Sequence, residues 1–177
     1  MGRIRVGMPV CLVLLGAAIF AAADARAAVR DDRKELADTL ARLRAREIDA
    51  LLESGRLRYD VELLKVLERQ RLARKGISTR QVPDADFAEA LKAFRKAKKL
   101  APKSVEFRLY LGLIYLEMSR ADPAKKAYHQ SLAKNELAAV FDLADREGGS
   151  TAQRCKSRAV DAARDLAAEG TAEIKKW

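Results

Sequence analysis

Two cysteines, one histidine, one tryptophan and four prolines are all that 177 residues contain of those types, and aromatics make up 6%. The shortages exclude whole classes of chemistry. If the N-terminus is removed only Cys155 is left beside the lost Cys11, so no disulfide framework can form, and no Cys/His spacing matches a zinc site. The single histidine makes a hydrolase triad hard to assemble. His129 follows Tyr128 by one residue, off the expected packing face, and is read as a surface side chain. No phosphate-cradling glycine loop, nucleophile elbow or dinucleotide fingerprint is present. Asp31, Asp32 and Glu35 could do acid–base work, but at a helix start they serve the dipole. The chain is expected to be no enzyme and to need no cofactor or metal. Cys155 lacks a CxxC partner and is read as an incidental half-buried thiol.

Charge is what the chain has in quantity: 35 Lys and Arg against 25 Asp and Glu, a formal net charge of +10. The densest clusters, Arg69, Arg71, Arg74 and Lys75, then Arg95, Lys96, Lys98 and Lys99, lack the aromatics or amides that a nucleic-acid reader places beside its cations. They are read as solvated helix ends meeting the negative pole of the dipole. Nucleic acid is not an expected partner.

Residues 1–27 combine Arg3 and Arg5, an apolar run over 10–23 and the small-residue pattern Ala25-Arg26-Ala27, the make-up of a secretory signal cut before Ala28. The other reading is an uncleaved anchor, against which its alanine content and Pro9 count. Cys11 has no lipobox in front of it. Cleavage would leave 150 of the 177 residues. That length supports one core burying about 70% of the unfolded surface, with no stable membrane span. The expected location is the periplasm or another exported compartment.

The mature part reads as all-α. Residues 31–53 carry Leu36, Leu40, Leu43, Leu51 and Leu52 at helical spacing and stop at Ser54-Gly55; residues 59–75 present Val61, Leu64 and Leu67 and stop at Gly76. These two helices are expected to form an antiparallel hairpin over 28–80, packed on the repeat region C-terminal to it. The second can also serve as a displaced opening helix for the next segment, with 77–83 as an inserted loop. Pro83-Asp84 and Asp122-Pro123 each punctuate a helix start, the latter with Asp at the cap and Pro at the first helical position. A helix over 136–146 carries Leu137, Val140, Phe141 and Leu143 and is broken at 148–150. A last Ala-rich helix over 151–169 has Val160, Ala163 and Leu166 on one face. Residues 139–170 would cap the stack, and 171–177 would fray.

Between these flanks the sequence resembles itself at an offset of 34 residues: Ala90 falls on Ala124, Phe94 on Tyr128 and Ala97 on Ser131. Small side chains at a helix crossing let two backbones approach while a ring fills the gap beside them. Between the matched segments Leu111, Gly112 and Tyr115 stand at the spacing L-G-x-x-Y, and Pro102 closes a loop. The pattern resembles the tetratricopeptide repeat over 84–138. Arg108 departs from it where Trp or Leu is preferred, and Glu136 where a helix-breaking Pro would stand.

The resemblance implies a short α-solenoid of antiparallel helix hairpins whose concave face grips a protein or peptide. Leu109, Leu113 and Leu116, flanked by Glu106 and Glu117, would line an apolar groove for a partner helix. The Lys and Asn of carboxylate-clamping relatives are missing there. The expected function is an exported adaptor or scaffold that binds protein. Two alternatives stay open: the chain's own 28–75 hairpin covers those leucines, or the protein is a basic envelope-surface binder of anionic lipid or polymer. Oligomeric state and partner are not legible.

Overall fold

A computed structural model describes the backbone of residues 8–174 and the side chains of residue 30 and residues 32–169. The whole of the expected signal, 1–27, therefore lies outside the residues whose side chains are described, as does the tail, 171–177. The described residues form helices and loops without strands: α1 (Met8–Arg74), α2 (Ala88–Leu100), α3 (Val105–Ala121), a 3₁₀ turn (Pro123–Lys125), α4 (Lys126–Glu147) and α5 (Gly149–Ile174). The chain divides into two units, Met1–Arg46 and Glu47–Trp177. In the first, the described side chains of α1 are exposed, Leu36, Leu40 and Leu43 among them.

The second unit holds the core, and its centre is α3. Eleven of the seventeen residues of α3 are buried, on every side of the helix. A helix apolar all round has to be surrounded. On one flank lies α2, reached through the short loop 101–104, in which the Ala101 and Ser104 N–H groups donate to the Ala97 and Ala101 carbonyls at 2.9 and 3.1 Å. Phe94 of α2 stacks on Tyr110 of α3 at 4.8 Å and 3° and tilts against Phe107 at 6.5 Å. On the other flank α4 runs antiparallel to α3, since Arg108 pairs with Glu136 at 2.9 Å while Tyr115 stacks on His129 at 6.4 Å.

The hairpin expected over 28–80 does not form, because α1 continues through Ser54-Gly55. Glycine inside a helix costs about 1 kcal/mol but does not remove an N–H as proline does. Here the missing Cβ has a use: one built on Gly55 would stand 2.8 Å from Cζ of Phe94. Residues 47–74 of α1 serve instead as the opening helix paired with α2. Glu47 meets Lys96 at 2.8 Å, Arg58 meets Glu89 at 2.6 Å, and Glu62 accepts from the Asp86 N–H at 2.8 Å, so the two helices are antiparallel. The face turned to the core is Ile48, Leu51, Leu52, Tyr59, Leu63 and Val66, whereas Val61, Leu64 and Leu67 face solvent. The helix ends at Gly76, φ 69°, in a Schellman arrangement: Gly76 N–H to Ala73 O and Ile77 N–H to Leu72 O, both 3.0 Å.

The second correction concerns α4. Asp122 caps its entry as expected, accepting from the Ala124 and Lys125 N–H groups at 3.0 and 3.3 Å. No break follows Ser131, because Glu136 keeps the N–H that Pro would lack and its carboxylate is held between Lys98 and Arg108. The face that packs is His129, Ala133, Leu137, Val140 and Ala144; Ala124, Tyr128 and Ser131 are exposed. The offset of 34 thus matches residue types, but in α4 it selects the wrong side of the helix. His129, expected at the surface, is buried, and Tyr128, expected in the core, is exposed.

Helix α5 runs antiparallel to α4, with Lys156 on Asp145 and Gln130 on Glu169, and parallel to α3. It packs through Ala152, Cys155, Ala159 and Ala162, while Val160, Ala163 and Leu166 are half-buried. Its backbone stays helical to Ile174, into the stretch expected to fray. Residues 47–74, α3 and α5 are therefore parallel, with α2 and α4 running the other way.

Stability measurements separate the packing faces. Phe94→Ala should destabilise by about 3–5 kcal/mol. Gly55→Leu should cost on the order of 1–3 kcal/mol by overpacking. Tyr128→Ala should stay within about 0.5 kcal/mol. Urea unfolding followed by helicity reads all three, and a large loss in Tyr128→Ala would place the ring in the core after all.

Candidate functional site

The parallel helices leave a cleft of about 410 Å³ lined by Arg56 of α1, Glu106, Leu109 and Tyr110 of α3, and Thr151, Arg154, Cys155 and Arg158 of α5. Its chemistry is mostly guanidinium. Arg56 forms an ion pair with Glu106, and its Nε is buried without a partner. Arg158 lies 5.3 Å from the centroid of the Tyr110 ring and 3.5 Å from the Tyr110 hydroxyl. Arg154 reaches only the Thr151 hydroxyl, at 3.4 Å. Neither Arg154 nor Arg158 has a carboxylate partner among the described residues, so Glu106 is outnumbered three to one.

Tyr110 forms the floor and is itself fixed from behind. Phe94 stacks on it, Tyr59 meets it edge-on at 5.5 Å, and the Arg56 guanidinium lies 5.6 Å from its centroid. Burial, and next the Glu117 carboxylate, push the Tyr59 phenol well above its ordinary range, with Arg158 opposing. Tyr59 therefore stays neutral. Burial also raises the Cys155 thiol, with Glu106 adding and the surrounding arginines subtracting. Cys155 is thus a protonated wall residue rather than a thiolate nucleophile.

A second cleft, about 540 Å³, opens between α1, the segment before α2 and the end of α3, lined by Val66, Arg69, Gln70, Asp84, Ala85, Phe87, Glu117, Arg120 and Ala121. Here the charges are matched. Arg120 binds Glu117 at 2.6 Å, Glu169 at 2.6 Å and Asp165 at 3.0 Å, and Arg69 pairs with Asp84. Burial raises the Glu117 carboxyl, and the pull of Arg120 does not fully offset it. Burial alone would loosen the Arg120 proton, but the three carboxylates outweigh it and the guanidinium stays charged.

The residues singled out from sequence divide between the core, the loops and the two clefts. Ala90, Phe94, Ala97, Leu111, Gly112 and Tyr115 are buried. A Cβ on Gly112 would stand 2.8 Å from Leu137, and the Tyr115 hydroxyl accepts from Arg95 at 2.9 Å. Pro102 is exposed in its loop. Of the groove candidates, Leu109 and Leu116 are 1% and 2% exposed and Leu113 is half-buried, so no open leucine groove exists; these side chains belong to the core. Leu109 lies beside Arg56 of α1 and Thr151, Arg154, Cys155 and Arg158 of α5 in the lining of the arginine cleft. Glu106 lines the arginine cleft and Glu117 the matched one.

Arg56, Arg154 and Arg158 do not stand out in the sequence, because denser basic runs lie elsewhere in it. A signal was available: Arg154 and Arg158 are four apart on one helix, in a stretch, 148–160, without a single acid. Among the described residues no group of three or more His, Cys, Asp or Glu could hold a metal, and no helix is long and apolar enough to cross a membrane.

An all-helical protein of antiparallel hairpins, with a basic cleft between its parallel members, is the class that fold and site define. Residues 31–143 match the model of the family described as regulator of microtubule dynamics protein 1-3, and the chain belongs to that family. No curated protein and no solved structure matches it.

The Glu117 carboxyl gives a pH-dependent test. Its folded pKa is raised, so its contribution to stability is greatest below the unfolded carboxylate value, about 4.3, and is lost as pH rises through the folded value. Glu117→Gln should therefore gain on the parent as pH climbs through that window. Unfolding free energies measured across the range check it; a Gln variant that loses stability relative to the parent on going to neutral pH would reverse the sign.

Proposed function

We propose that the protein is an exported interaction module of tetratricopeptide type that holds an acidic segment of a partner protein in the cleft between residues 47–74, α3 and α5. The observation that carries this reading is the pair Arg154 and Arg158, which face the cleft without carboxylate partners among the described residues, while Arg56 beside them and Arg69 and Arg120 of the second cleft are ion-paired. A guanidinium fork receives a carboxylate with two parallel hydrogen bonds, and the Tyr110 ring beside Arg158 holds the fork in place. Export is supported by the charged, apolar and small-residue order of residues 1–27. The family's description speaks of regulating microtubule dynamics, and a module that works by protein contact is compatible with it.

The reading departs from a leucine groove in favour of a polar one. Its rival, electrostatic adhesion to anionic lipid or polymer, draws on the +10 charge and on the basic surface of α2, where Lys92, Arg95, Lys96 and Lys99 border one shallow depression. Fluorescence anisotropy with a labelled Glu-rich peptide and with anionic vesicles distinguishes them. Peptide binding that falls on the order of 10- to 100-fold in Arg154→Glu with Arg158→Glu, and is unaffected by Lys92→Glu with Lys96→Glu, is the expected result. Vesicle binding that survives the cleft variant, with no peptide binding at all, would favour the rival.

A further inference from the structure

The charge lining the arginine cleft says which anion it suits. Arg56, Arg154 and Arg158 stand there against one carboxylate, Glu106, a surplus of two positive charges. Glu106 is taken up by Arg56, so Arg154 and Arg158 are the pair on offer. The stretch of α5 that presents them, 148–160, holds no acid. Their fields converge inside the cleft, since both guanidiniums, with Arg56, pull the Cys155 thiol down against its burial. A carboxylate brings a single negative charge and would leave one of the two arginines unanswered. A phosphate monoester brings about −1.5 to −2 at neutral pH and answers both.

Shape points the same way as charge. Arg154 and Arg158 are four apart on α5, a spacing that puts their side chains on one face with Cβ atoms about 5–6 Å from each other. A carboxylate is planar with two oxygens, enough for one guanidinium fork. A phosphate monoester is tetrahedral with three acceptor oxygens, so two forks can close on it from different sides. Neither fork is firmly held within the chain: Arg154 meets the Thr151 hydroxyl at 3.4 Å and Arg158 the Tyr110 hydroxyl at 3.5 Å, both at the long limit of a hydrogen bond. An arriving anion therefore displaces little, and the Thr151 hydroxyl can turn to donate to it as well. Both arginines are exposed at the mouth while Tyr110 is buried at the floor, so a short side chain is enough to bring the phosphate to them. Resting on the reading of an acidic partner segment and narrowing it, we propose that the cleft recognises a phosphoserine or phosphothreonine of that segment, its phosphate held between the forks of Arg154 and Arg158.

Three labelled peptides that differ at one central position, Ser, Glu or phosphoserine, in an otherwise identical Glu-rich background, test this by fluorescence anisotropy on the full chain. The phosphoserine peptide should bind on the order of 10-fold more tightly than the Glu peptide, and the Ser peptide most weakly. Arg154→Lys and Arg158→Lys keep the charge but lose a fork, so each should bring the phosphoserine and Glu affinities together. Unchanged helicity is expected in both variants, because the two side chains are exposed. Equal affinity of the parent for the phosphoserine and Glu peptides would overturn the phosphate inference and leave the acidic-segment reading standing. Binding of none of the three would defeat both. A phosphoserine preference that survives both lysine variants would show that the phosphate is held elsewhere and overturn the assignment. Binding to vesicles with phosphate monoester headgroups, with no binding to any peptide, would overturn it in favour of a lipid surface.

Discussion

The stack of Phe94 on Tyr110 is the contact on which the arrangement turns. It needs α1 and α2 to approach until the Phe94 ring lies against the bare backbone at Gly55, and it needs α3 to present Tyr110 to both. Once that is met, α3 has neighbours on all sides and its near-complete burial follows. Aromatic pairs of this kind contribute roughly 0.5–1.5 kcal/mol beyond the area they bury. Their larger effect is geometric, since a flat stack fixes how far apart the helices stand.

The same ring connects the core to the surface. One side of Tyr110 belongs to the aromatic cluster with Tyr59 and Phe94, and the arginines of the cleft gather around the rest of it. The cleft is therefore floored by a side chain that cannot move without disturbing three helices. Rigid floors suit a recognition site, because little side-chain freedom remains to be lost when something binds. The two clefts differ in charge balance: carboxylates surround Arg120, and among the described residues none answers Arg154 or Arg158.

Helical content and the two faces that use small residues, at Gly112 and along Ala90 and Ala97, could be read from spacing alone. The side of α4 that packs could not. Tyr128 and His129 are adjacent rings, and residue-type matching favoured the tyrosine, whereas the 3₁₀ turn at Pro123–Lys125 sets the phase of α4 so that His129 points inward. Gly55 misled for a related reason. In a sequence a glycine after serine looks like a stop, and only the ring of Phe94, 39 positions on, explains why it sits inside a helix. The two departures from the repeat pattern, Arg108 and Glu136, turn out to bind each other, a pairing that no local rule could supply. The cleft was illegible because its arginines come from α1 and α5, nearly a hundred residues apart.

A single core built around α3 is the claim from which the cleft and its chemistry follow, and amide hydrogen exchange tests it most directly. The α3 amides from Leu109 to Leu116 should open only with the whole fold, at a free energy equal to that of global unfolding by denaturant. Exchange of those amides through local openings well below that value would show that α3 is not the centre of the structure.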